Sequence, residues 1–320
     1  MRSNLTLRLC CAVAVGLVVA VPGTAMPQAR RVVITIDDLP TVSRHFTSAE
    51  DHGRLTHRLV AALQAHHVPA IGFVNETKLH RSGTVDPAEV ALLRQWTRAG
   101  FELGNHTYSH ADLHTVAIDE YLGDITRGDA ITRTVLGEVG KRPRYFRHPY
   151  LHTGRSLDIR ARVDSTLSSL GLRVAPVTID NSDYVFAAAY DDALARHDSA
   201  AVTSIGDRYV AYMEQVFAFY EAQSLAIVGR DIPQILLIHA SFLNADRFDA
   251  LASMMERRGY AFIGLDEALR DPAYASADTY VGPAGITWLH RWALTRGLRG
   301  SVFAGEPAVP ADIAAAAARR

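Results

Sequence analysis

The stretch Val32-Val33-Ile34-Thr35-Ile36-Asp37-Asp38 sets the reading of the whole chain. A short apolar run delivers two carboxylates at its end, and runs of this kind return along the sequence with amphipathic segments between most of them. That alternation is the pattern of an α/β protein with parallel strands. It predicts strands at residues 32–36, 70–74, 101–103, 145–146, 172–179, 234–239 and 260–263. Seven strands with intervening helices make either a barrel or a doubly wound sheet.

Several helix ends are legible. Asp86 caps a helix with Pro87 at its first position and Glu89 in its first turn; Val90, Leu93 and Trp96 form its apolar stripe and Gly100 stops it. Ser48 caps a longer helix carrying Leu55, Leu59 and Leu63, closed by Pro69. Asn244 is expected to cap another, whose Phe248, Leu251 and Met255 face inward before Gly259. Residues 185–230 leave room for two helices, and Tyr209, Tyr212, Phe217, Phe219 and Tyr220 there read as packing aromatics. Trp288 and Trp292, at helical spacing, read as packed against the body of the protein rather than stacked on a ligand. The tail after Asp271 is rich in Gly, Pro and Ala, and its 314–318 alanine run reads as a frayed helix or disorder.

Composition narrows the classes. With 48% apolar and 21% charged residues the chain is globular and has ample length for a full core. A formal charge of −1 without a long basic run offers no footprint for a nucleic acid. The N-terminus has Arg2 and Arg8, an apolar stretch from Leu9 to Val21, then Pro22, Gly23, Thr24 and Ala25, which is the pattern of a cleaved export signal over residues 1–25. Its apolar core falls short of the roughly 20 residues of a membrane span. Both cysteines, Cys10 and Cys11, leave with that signal, so the exported protein is expected to have neither a disulfide nor a cysteine nucleophile.

The informative polar residues stand at strand ends. Ile36 runs into Asp37-Asp38, Leu103 into Gly104-Asn105-His106-Thr107-Tyr108-Ser109-His110, and Phe146 into Arg147-His148-Pro149-Tyr150. Ile179 runs into Asp180-Asn181-Ser182-Asp183, and Ile238 into His239. Each cluster alone is weak: among 14 histidines one His-x-x-x-His pair is near chance, and adjacent aspartates often only turn the chain. Parallel strands, however, put all their C-terminal ends on one face, so five such clusters converge.

Together they suffice for metal-assisted hydrolysis. Two imidazoles and a carboxylate form a common catalytic ligand set with an open position. With Asp38, His106 and His110 as ligands, Asp37 is left to take a proton from water, and His239 to protonate a leaving group. Arg147 would hold Asp37 ionised, and Asp180 or Asp183 would raise the basicity of His239.

These residues, in this order, resemble the polysaccharide deacetylase family, the NodB-homology domain of carbohydrate esterase family 4, over roughly residues 31–270. Thr35-Ile36-Asp37-Asp38 resembles its first motif, of base and ligand aspartates, and His106-Thr107-Tyr108-Ser109-His110 its second, with both histidines on the metal. Arg147-His148-Pro149-Tyr150 is similar to the third, where the arginine positions the base and the tyrosine amide helps form the oxyanion site. Asp183-Tyr184 falls where the fourth has Asp-Trp, and Leu237-Ile238-His239 matches the fifth, with an acetyl-pocket leucine and the acid histidine. Leu39, in place of the usual glycine, and Tyr184, in place of the groove tryptophan, are departures expected to alter the surface that holds sugar rings.

The resemblance implies an α/β fold, a distorted (β/α)7 barrel, here with a helical insertion at 185–230 and a partly disordered C-terminal extension at 271–320. It implies a divalent metal, zinc before cobalt, nickel or iron. The expected partner is an acetylated carbohydrate, in a periplasmic or extracellular setting. Two other readings stay open: a metal-dependent hydrolase of a small non-sugar amide or imide, and a non-catalytic carbohydrate-binding protein on the same barrel.

Overall fold

A computed structural model describes residues 29–318; the export-signal pattern and both cysteines lie outside the described residues. One curled sheet holds β1 (Arg30–Leu39), β2 (Ile71–Val74), β3 (Glu102–Asn105), β4 (Tyr145–Phe146), β5 (Arg173–Val174), β6 (Gln234–His239) and β7 (Tyr260–Phe262). Its order is β5-β4-β3-β2-β1-β6, with β7 also on β1, and every pairing is parallel. The helices are α1 (Ala49–Ala65), α2 (Pro87–Arg98), α3 (Ile118–Arg127), α4 (Ala130–Gly137), α5 (Leu157–Ser169), α6 (Asp183–Ala195), α7 (Ser199–Val228), α8 (Phe242–Arg257), α9 (Leu265–Ala268), α10 (Trp288–Thr295) and α11 (Ala311–Ala317). A two-residue hairpin between His80–Arg81 and Thr84–Val85 was not anticipated.

The expected strand over 172–179 is split, and the split closes the barrel. Its start pairs with β4, where the Ala175 amide donates to the Phe146 carbonyl at 2.8 Å. Its end pairs with β6: the Ile179 amide donates to the Ile235 carbonyl at 3.0 Å and the Leu237 amide to the Ile179 carbonyl at 3.1 Å. One extended segment thus bridges the two outer strands of the sheet, giving a distorted (β/α)7 barrel instead of a doubly wound sheet.

The two-residue period of β1 sorts its side chains. Val32, Ile34 and Ile36 face the helices in the main core, and Val33 joins Ile71, Phe73, Tyr145, Ala175 and Ile235 in the barrel interior. Further along the inward face come Thr35 and Asp37, both buried. The interior is therefore apolar at one end and polar at the end where the strands finish.

Two helix caps agree with the sequence pattern. The Ser48 side chain accepts from the Asp51 amide, and the Asp86 side chain from the Ala88 amide. The third differs: Ser241 caps α8, and Asn244 lies inside the helix, buried. Residues 185–230 fall in two helices, with Tyr209, Tyr212, Phe217 and Tyr220 buried and Phe219 packed against the same core. The expectation of a frayed or disordered tail end is corrected, because α11 is a formed helix whose Ile313 and Ala317 are buried in the main core. Two apolar anchors one turn apart, with α6 beneath them, provide the packing that the alanine run by itself lacks.

Leu39 is also corrected. It is 0% exposed, so it does not shape the sugar-facing surface. It fills the space above Gly72, where an added Cβ would stand 2.1 Å from the Leu39 Cδ1. Gly72→Ala is expected to destabilise the fold by about 1–3 kcal/mol through overpacking, and Leu39→Ala in the same chain to recover part of that loss. A urea-denaturation double-mutant cycle measures the coupling; strictly additive effects would remove this packing argument.

Candidate active site

The strand registers assemble the site. Asp37 pairs with His239 across β1 and β6, Thr35 with Leu237, Val74 with Asn105, and Asn105 with Phe146. The five predicted clusters thereby reach one end of the barrel. The backbone there is strained: Asp38, Thr107, His110, Tyr150 and Leu151 all have positive φ, between 55° and 70°. Each such residue costs of order 1–3 kcal/mol and persists because neighbouring contacts hold it.

Those contacts are visible in the loop after β3. The Asn75 side chain donates to the His106 carbonyl at 2.6 Å, and the Thr107 amide donates to Asn105 Oδ1 at 2.8 Å. Asp124 of α3 accepts from the Ser109 amide and hydroxyl at 2.8 and 3.0 Å. His106 Nδ1 donates to the Arg147 carbonyl at 2.8 Å, which leaves its Nε2 as a free lone pair. On the β1 side, Lys78 Nζ donates to the Asp38 carbonyl at 2.9 Å and lies 3.7 Å from Asp38 Oδ1.

Asp38 Oδ1 then stands 3.8 Å from His106 Nε2 and 3.5 Å from His110 Nε2. It is buried and accepts no hydrogen bond among the described residues. Burial pulls both histidines down to about 4, so both are neutral at pH 7. Burial would raise Asp38, but Lys78, His106 and His110 more than offset it and hold its carboxyl well below the ordinary range. Three lone pairs thus converge with no proton among them, an arrangement that fits a divalent cation. Two imidazoles and one carboxylate suit zinc and also accept cobalt, nickel or iron.

Asp37 lies beside this set, its Oδ2 3.8 Å from His106 Nε2 and 3.9 Å from Arg147 Nη1. Arg147 is fully buried and donates to Thr35 Oγ1 at 2.8 Å. Arg147 pulls the Asp37 carboxyl down, in the direction that keeps it ionised, while burial, the larger effect, raises it above its ordinary value. The result is a carboxylate better able to hold a proton.

On the opposite side, His239 Nδ1 donates to Asp183 Oδ1 at 2.7 Å, and the His239 amide to Asp183 Oδ2 at 2.7 Å. Burial would lower His239, but Asp183 outweighs it and, with Asp38 and Asp37, raises it to about 10. Of the two candidate partners the structure selects Asp183; Asp180 makes no hydrogen bond to the ring, and burial raises its own carboxyl to about 6. Asn244, missed as a functional residue, donates from Nδ2 to Asp183 Oδ2 at 2.7 Å and to the His239 carbonyl at 2.8 Å. Its Oδ1 accepts from the Tyr209 hydroxyl at 2.7 Å, so the insertion supports the Asp183–His239 pair. An amide on the inward stripe of α8 was the available signal. Lys78 left none.

Tyr150 projects at the rim, 56% exposed, its ring 4.6 Å from that of His110. Tyr184 is 58% exposed, its ring 6.3 Å from that of His239. Leu237 is buried with Leu151 and Val177.

A polysaccharide deacetylase sequence profile matches residues 25–175, which carry the first three of these clusters. Over that segment, just under half of its length, the chain is similar to the polysaccharide deacetylase family. A chitin deacetylase from Pestalotiopsis sp. is 36% identical over 85 residues, 27% of this chain and 26% of that protein. The match therefore spans about a quarter of that curated relative. Among solved structures, a peptidoglycan deacetylase from Bacillus subtilis has 20% identity and a TM-score of 0.48, covering 78% of this chain and 98% of that one. A carbohydrate esterase family 4 pseudoenzyme from Bacillus anthracis has 16% identity and a TM-score of 0.45, covering 76% and 66%.

Of the two departures from the motif pattern, only one lies at the surface. Leu39 is interior, whereas Tyr184 is exposed beside His239.

Proposed function

We propose that the protein is an exported, metal-dependent hydrolase that removes acetyl groups from an N-acetylated carbohydrate, with O-acetylated sugars second. The observation that carries this reading is the Asp38, His106 and His110 triplet of unprotonated ligands, with Asp37 and a protonated His239 as register partners beside it. A divalent cation held by that triplet, zinc first, supplies Lewis acidity to the acetyl carbonyl and to the attacking water.

The chain's own groups do the rest. Asp37 takes a proton from the water as its oxygen bonds to the acetyl carbon. The Tyr150 amide donates to the oxyanion, help whose removal in other hydrolases costs roughly 3 kcal/mol. His239 gives its proton to the nitrogen as the carbon–nitrogen bond breaks, and acetate leaves. Leu237 receives the acetyl methyl, and the exposed Tyr184 ring offers a sugar a platform.

Export rests on the basic, apolar and small-residue order of residues 1–25. No helix among the described residues is long and apolar enough to cross a membrane. Tyr184 keeps a second reading alive, hydrolysis of a small amide or imide, since a tyrosine there requires no long glycan. A purely carbohydrate-binding protein has no use for base, acid and three ligands in one place.

The test is elemental analysis of the purified mature protein, joined to an acetate-release screen on chitin, peptidoglycan and xylan fragments and on small cyclic amides. Stoichiometric metal with acetate release only from glycans supports the proposal; hydrolysis only of cyclic amides supports the second reading. Metal without turnover on anything would return the binding-protein reading.

A pH dependence follows from His239. Its proton is needed, so activity is expected to fall as pH rises through its pKa, about 10 without the cation. Neutralisation of Asp38 by the cation moves that limb to lower pH. Asp183→Asn removes the charge that raises His239 and is expected to move it further down, read as an acid-shifted alkaline limb of kcat/KM. An unmoved limb would separate His239 from the titrating acid.

A further inference from the structure

We infer that the C-terminal extension completes the active site, with Trp288 as the wall that limits the length of the acyl group. The inference rests on the deacetylase reading above and names a determinant of its specificity.

Leu151, Val177 and Leu237 form a small buried apolar cluster separate from the main core, and Trp288 is packed against it. Leu237 shares the inward face of β6 with His239, and Leu151 follows Tyr150 directly. The cluster is therefore tied to both the acid and the oxyanion donor, where an acyl chain must go. Tyr184, which holds the place of the family's groove tryptophan, is exposed and lies outside this cluster.

Trp288 is not free to swing away. Its amide donates to the Val177 carbonyl at 2.7 Å. The guanidinium of Arg291, 1% exposed, lies 4.9 Å from its ring and is fixed by Asp278 and by Thr153 Oγ1, at 2.8 and 2.7 Å. A cation held against the ring in a desolvated position stiffens the wall. The chain just before it is equally committed: His114 Nδ1 donates to the Pro283 carbonyl at 3.2 Å. At Gly285 an added Cβ would stand 1.7 Å from the Tyr150 carbonyl oxygen. The extension thus presses on the Tyr150 peptide and on the floor of the pocket at once.

The experiment compares kcat/KM of the full-length zinc-loaded protein on N-acetyl, N-propionyl and N-butyryl glucosamine oligomers. Wild type is expected to favour acetyl, and Trp288→Ala to raise the propionyl-to-acetyl ratio by about 10-fold or more, the scale on which an apolar pocket senses one methylene. Trp288→Phe, which keeps an aromatic ring for Arg291, is expected to give a smaller rise and carries the comparison if the alanine variant does not fold. Acetyl turnover with an unchanged ratio in the folded variants overturns the inference and leaves the deacetylase reading standing. A wild-type protein inert on every acylated sugar overturns both.

Discussion

Asp37→Asn is expected to keep the cation and lose turnover by about 10³-fold or more, the upper range for removal of a general base. The substitution preserves shape and takes away only the charge and the capacity to accept a proton. Asp37 Oδ1 is buried without a hydrogen-bond partner among the described residues, and Oδ2 lies 3.8 Å from His106 Nε2, beside the ligand set. The ligand atoms of Asp38, His106 and His110 are untouched. Some loss of stability should accompany the change, because Arg147 stays buried while its nearest carboxylate becomes neutral. Metal content, acetate release and a thermal melt on the same preparation decide the matter. Normal turnover would sink the base assignment, and lost metal would make Asp37 a ligand.

His106→Ala is expected to lose both cation and turnover completely. Its ring is 3% exposed, and its Nδ1 bond to the Arg147 carbonyl aims Nε2 at Asp38. Removing it leaves only Asp38 and His110, which is too few ligands to hold a cation against solvent. His110→Ala, whose side chain is 26% exposed, makes the same test with less disturbance of packing. Because the cation binds only the folded chain, adding zinc should raise the melting temperature of the wild type, by about 2.7 kcal/mol of stability at 100 times Kd. That shift should vanish in both variants, and chelation should remove wild-type activity until zinc is returned. A zinc-dependent melt that survives His106→Ala would place the cation elsewhere.

Much of this was legible in the sequence. Parallel strands run one way, so acids and histidines placed just after Ile36, Leu103, Phe146 and Ile238 had to meet at one barrel end. Ser48 and Asp86 announced their helices because a cap acts within a few residues. What failed had non-local causes. Asn244 reads as a cap, yet its amide is engaged by Asp183 and Tyr209, 61 and 35 residues away. The strand over 172–179 reads as continuous because nothing local reveals that its two ends pair with different neighbours. Leu39 reads as a change of surface because Gly72, which makes room for it, is on another strand.

The sequence by itself determined the alternation of elements, the set of reactive side chains and the one end of the barrel where they gather. These follow from short-range periodicity and strand direction. Only the tertiary structure decided that Asp183 and not Asp180 charges His239, that burial outweighs Arg147 at Asp37, and that the tail is packed against Tyr150 and Leu237. Those outcomes depend on desolvation and on contacts between distant segments, which no local pattern encodes.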